Sequence, residues 1–107
     1  MSDPNQAVNY IIANAEKFAQ AKSERIYLEE FRKTKKALLM GECAEKAVNA
    51  REQFAYSHPE YQELLTGLKE AIKSEETIKW HMEAARMRVD IWRSTEASNR
   101  NQDRAMR

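Results

Sequence analysis

The sequence predicts an all-α protein: a long antiparallel helical hairpin of coiled-coil character, assembled into a dimeric helical bundle. Three observations lead there. Among 107 residues there are only two Gly and two Pro, while 33% are charged. Ala, Glu, Lys, Arg and Gln dominate, which is the composition of long helices. No alternating Val/Ile/Thr run bounded by turn residues offers a strand. Finally, Leu64, Leu68, Ala71, Glu75, Ile78, Met82, Ala85, Val89 and Trp92 follow a four–three alternation, the spacing of a coiled-coil seam.

The first helix is expected over residues 4–56. Ser2 or Asp3 can accept hydrogen bonds from the free N–H groups of its first turn, and Pro4 lacks a donor where none is needed. Gly41 is its weak point, near which the helix either kinks, breaks or runs on, because Gly costs about 1 kcal/mol against Ala in a helix interior. The stretch YSHPEY stops and restarts the chain. His58 precedes Pro59 and is pushed out of the α region, and Pro59 opens a helix with Glu60 and Glu63 in its acid-favouring first turn. That second helix is expected over 59–98, followed by a polar basic tail over 99–107. The whole chain is then one helical domain.

A tight bend at His58 makes opposed residues add to roughly 116 if the helices lie antiparallel. Leu28, Phe31 and Leu38 then face the seam, with Ile26 and Tyr27 beside it. Glu75 is the one charged seam member. It is either an imperfect, partly exposed position or a register determinant that demands a matched cation. The same register leaves a stripe on the first helix, Val8, Ile11, Ile12, Ala15 and Phe18, against a tail with almost no apolar residue. Leaving such side chains wet forfeits about 1.5–3 kcal/mol each. That stripe is therefore the expected oligomer interface, in a homodimer.

Candidate chemistry is sparse. His58 and His81 stand apart, and no Glu precedes His81 at ligand spacing. Cys43 is alone, without a CxxC partner or a nearby His, so it reads as a small apolar-like residue in a reducing compartment. No phosphate-binding Gly loop or nucleophile elbow occurs. Glu42 with Glu45, and Glu75 with Glu76, read as solvated acid pairs, with a cation site between Glu42 and Glu75 a distant alternative. No cofactor, no metal and no enzymatic activity are expected. Without a signal peptide or an apolar run long enough to span a bilayer, a cytoplasmic location and no membrane partner are expected.

Charge placement says more. The net charge is only +1, so any basic surface comes from local segregation. Arg32, Lys33, Lys35 and Lys36 form one cluster. Lys79, Arg86, Arg93, Arg100 and Arg107 recur every seven residues and form another stripe. From Arg86 onward six Arg face only Asp90, Glu96 and Asp103, a local excess of three positive charges. Arg86 is expected near Glu30 and Arg93 near Glu24, while Lys35 opposes His81 and Arg32 opposes Ala84. The clusters would then join into one flank able to bind a phosphate backbone without reading bases. Arg32, Lys33, Lys35, Lys36, Arg86, Arg93, Arg100 and Arg104 are its candidate contacts. The competing reading is a protein-interaction module or inhibitor that docks on another protein and never touches nucleic acid.

The stretches YIIANAEKFAQAKSERIYLEEFRKTKKALLM, HPEYQELLTGLKEAIKSEE and RMRVDIWRSTEASNRNQDR resemble a family of small all-helical proteins of tailed phages and prophages. The resemblance covers most of the chain and includes no catalytic motif. It implies a bacterial host cytoplasm and a gene placed near those for recombination and single-stranded-DNA binding. An accessory role in phage DNA recombination or replication follows as an expectation.

Overall fold

The computed structural model of the chain describes residues 3–106. Among them are three helices, α1 (Pro4–Glu42), α2 (Val48–Ser57) and α3 (Pro59–Ala105), and no strand. Asp3 begins α1 as expected: its Oδ1 accepts from the Asn5 N–H at 2.9 Å, and its carbonyl accepts from Gln6 and Ala7. Ser2 and Arg107 lie outside the described residues.

Two boundaries differ from the sequence expectation. The first helix does not reach residue 56: it breaks near Gly41, one of the outcomes expected there. Gly41 is itself helical, and the break falls over residues 43–47, which contain neither Gly nor Pro. Its cause is packing. Leu39 of α1, Ala55 of α2 and Tyr61 of α3 form a buried cluster against which Met40 and Leu65 pack. Bringing Ala55 onto Leu39 requires the chain to leave α1 and return. α2 starts at Ala47 without a side-chain cap. The second difference is at the far end, where residues 99–105 continue α3 instead of forming a separate tail. Nothing in SNRNQDRA breaks a helix, and Arg104 in the last turn suits the negative end of the helix dipole.

The restart at His58 follows the sequence closely. His58 is extended (φ −67°, ψ 136°), as a residue before Pro must be. Its Nδ1 accepts from the Glu60 N–H at 3.1 Å, and its carbonyl accepts from Tyr61 and Gln62. The imidazole thus caps α3.

The helices contribute to two compact units. One joins Ala19–Glu75; the other joins the chain up to Phe18 with the chain from Glu76 onward. In the first unit Lys35 meets Glu60 at 2.7 Å and Arg25 meets Glu75, so α1 and α3 run antiparallel there. In the second, the Tyr10 ring meets His81 edge-on at 6.4 Å. These pairs overturn the register of roughly 116. The bend takes in residues 43–58, not His58 alone, so Lys35, Arg25 and Tyr10 each meet an earlier part of α3 than that register gives. Lys35 faces Glu60 and not His81, Arg86 pairs with Glu83 and not Glu30, and Glu30 pairs with Lys33.

The seam itself is present. Leu68, Ala71, Glu75 and Ala85 are buried, and Leu64, Ile78, Met82 and Val89 are half-buried, while Trp92 at its end is exposed. Leu28 and Phe31 are half-buried, as expected. Leu38 is not: Leu39 takes the core position, because the returning α2 approaches that side of α1. Glu75 has its matched cation. The Arg25 Nη2 donates to Glu75 Oε1 at 3.2 Å and the Arg25 Nε donates to Oε2, while Nη1 reaches Glu29 at 3.0 Å. These hydrogen bonds, to Glu75 first and Glu29 second, raise the guanidinium pKa above its ordinary value.

The corrected register also covers part of the expected interface. Ala7 is buried, and Ile11 and Phe18 are half-buried within the unit that includes α3 from Glu76. Val8, Ala15 and, at 69%, Ile12 remain exposed.

Candidate nucleic-acid interface

The α1 cluster of Arg32, Lys33, Lys35 and Lys36 spans just over one helical turn, so its members point to different sides. Lys35 turns to α3 and binds Glu60. This contact holds the Glu60 carboxyl below its ordinary 4.5, through the Lys35 hydrogen bond first and its charge second. A carboxyl depressed on folding contributes stability above its unfolded pKa and loses it as pH falls through the folded value. Thermal midpoints should therefore decline as pH drops below about 4.5, and Glu60→Gln should remove a small part of that slope, small because the pair is exposed. Identical acid profiles for the two proteins would show that the contact adds nothing.

Lys36 lies over the Tyr56 ring, 4.8 Å from its centroid, with Glu52 at 3.6 Å. Its pKa is raised, chiefly by the Tyr56 hydroxyl and then by the Glu52 charge. Tyr56 in turn meets Tyr61 edge-on, ring centroids 5.4 Å apart. Lys33 reaches Glu30 at 3.4 Å in an exposed pair, worth little in water. Arg32 is exposed and has no acid partner among the described residues. Arg32, Lys33, Lys36, Tyr56 and Tyr61 together line a surface hollow of about 320 Å³. Three cations and an aromatic face therefore converge, and Tyr56 keeps 43% of its surface open.

The α3 candidates lie in the other unit. Arg86 is tied to Glu83 at 2.8 Å, which raises its pKa. Arg93, Arg100 and Arg104 are exposed and lack an acid partner among the described residues. Their spacing of seven and four places them on one face of α3. Arg88 lines a second hollow, about 260 Å³, with Tyr10, His81 and Ala84.

Within its unit the structure keeps Arg32, Lys33 and Lys36 around one hollow and turns Lys35 to Glu60, while Arg93, Arg100 and Arg104 belong to the other unit. The register that fused the two groups into one flank does not hold. Tyr56, Tyr61 and Arg88 escaped the sequence reading. The tyrosines stand within five residues of the His58–Pro59 bend, but their approach to Lys36 depends on α2 turning back, which no local signal announces.

Among the described residues no group of three or more His, Cys, Asp or Glu gathers as metal ligands. Among the same residues no helix is long and apolar enough to cross a membrane. Set beside known protein families, characterised proteins and solved structures, the chain matches none of them.

Proposed function

We propose that this chain is a non-enzymatic helical-hairpin factor that binds DNA without reading its sequence, as an accessory to phage recombination or replication. The observation that carries the reading is the hollow where Arg32, Lys33 and Lys36 gather beside the partly exposed Tyr56, one face of whose ring Lys36 covers. Lys and Arg neutralise phosphates and release counterions, while an exposed ring offers a stacking surface to any base. Arg93, Arg100 and Arg104 extend the capacity for phosphate along α3. The resemblance to tailed-phage helical proteins supplies the biological setting, a bacterial host cytoplasm.

The test is binding to labelled single- and double-stranded DNA over a salt series. Affinity should fall steeply with salt, with the log–log slope for duplex losing about 0.9 for each phosphate contact removed. The pair Arg32→Glu with Lys33→Glu should weaken binding at low salt at least tenfold, as should Arg93→Glu with Arg100→Glu. No binding of the unaltered protein even at low salt would eliminate the proposal.

A protein-docking role is the second reading, favoured by the exposed Trp80, Met87 and Ile91 on α3. The stripe first expected to hold two copies together is thin, since Ile11 and Phe18 are half-buried and only Val8 and Ile12 offer large apolar surface there.

A further inference from the structure

α3 is apolar on two opposite faces. Its inner seam, through Ile78, Met82, Ala85 and Val89, is buried or half-buried. About half a turn round the helix, Trp80, Ala84, Met87 and Ile91 follow the same four–three–four spacing. Ala84 is half-buried and, with His81 and Arg88, borders Tyr10 of α1, but Trp80 is 60% exposed, Met87 50% and Ile91 64%. A helix within one chain needs a single apolar stripe. A second seam at coiled-coil spacing is what a helix carries when it packs a second helix on its outer side.

We infer that this outer seam pairs α3 with α3 of a second copy of the chain, parallel and in register. Charge identifies both the occupant and the direction. With Trp80 and Met87 at d positions and Ala84 and Ile91 at a positions, the g positions are Glu76, Glu83 and Asp90. The e positions facing them are His81, Arg88 and Thr95. One flank of the seam is acidic and the other is basic or neutral. In a parallel pair each g residue meets the e residue five places on in the partner helix, so Glu83 meets Arg88 and Glu76 meets His81, each twice by symmetry. In an antiparallel pair g meets g and e meets e, which places Glu83 beside Asp90, an unfavourable pairing, and leaves Arg88 without an acid. Arg88 fits the part, having no acid partner within its own chain among the described residues. Glu83 is shared with Arg86 on the same helix, a contact compatible with a second cation across the seam.

The inference goes beyond DNA binding and is tested without DNA. Light scattering should return the mass of a dimer for the intact chain. Trp80→Glu with Ile91→Glu should give a monomer of unchanged helix content, because both side chains point away from the inner seam. Arg88→Glu alone should weaken the dimer, and Glu83→Arg combined with Arg88→Glu should restore it by exchanging the two charges. Direction is read by cross-linking with an added thiol oxidant: in a Cys43→Ser background, Ile91→Cys should give a disulfide-linked dimer, since Ile91 adjoins its own copy in the parallel, in-register pair but lies about 16 Å along the axis from it in the antiparallel one, where it meets Trp80. A monomeric intact chain overturns the inference, as does a dimer unaffected by Trp80→Glu with Ile91→Glu. A dimer in which Ile91→Cys fails to cross-link overturns the parallel register.

Discussion

Leu39→Ala should unfold this protein more readily than any other single truncation of an apolar side chain. Leu39 is fully buried, and it is the largest side chain so enclosed among the described residues. It touches the point where all three helices meet, with Ala55 and Tyr61. Removing a buried Leu loses its transfer free energy and leaves a cavity, together about 2–5 kcal/mol. In a chain of this size that lowers the thermal midpoint by roughly 10 °C or more. Leu38→Ala, one residue away on the exposed side, should stay within about 0.5 kcal/mol. Circular-dichroism melts of the two variants decide the matter. Comparable losses would mean that the cluster does not organise the bend.

Next in size is the effect expected at Arg25 and Glu75. Glu75 is buried in the seam, and its carboxylate is held there by the Arg25 guanidinium. Arg25→Leu leaves that carboxylate buried without its main cation and should lower the melting midpoint by several degrees. Glu75→Leu should cost less, because Arg25 retains Glu29 at 3.0 Å and the new side chain suits the seam. Replacing both should recover most of the loss, since an apolar pair of similar volume needs no desolvation of charge. The three melts form a double-mutant cycle. A double variant no more stable than Arg25→Leu would show that the ion pair itself, and not the cost of stranding one partner, sustains this part of the fold.

How far the fold could be read in advance depended on whether its cause was local. Composition and the four–three spacing are local, and they located the α3 seam from Leu64 to Val89 and the all-helical class. The Pro59 start and the extended His58 are local too. A break near Gly41 was one option that residue offered, but its placement over 43–47 and the return of α2 are not local. Cys-Ala-Glu-Lys-Ala holds no breaker, and the reason for leaving the helix is Leu39, sixteen or more residues from its partners Ala55 and Tyr61 in sequence. That one omission shifted the whole pairing of α1 with α3. It moved Lys35 from His81 to Glu60, hid Leu39 in place of Leu38, and covered Ile11 and Phe18. The basic site was legible only as a list of charges. Arg32, Lys33 and Lys36 could be counted, but Tyr56 joins them through α2, and Glu52 and Glu60 take their share of the charge from the same neighbourhood.

The hinge has one more implication. Ala, Glu and Lys continue a helix readily, and α2 begins without a side-chain cap. Residues 43–47 therefore offer no resistance of their own to straightening. α2 is held against α1 by the contacts around Leu39 and by Lys36 with Glu52. Loosening those contacts would let α1 and α2 fuse into one rod, which could then lay its α2 on another copy: a latent route to exchange of segments between molecules, stored where the sequence looks most ordinary.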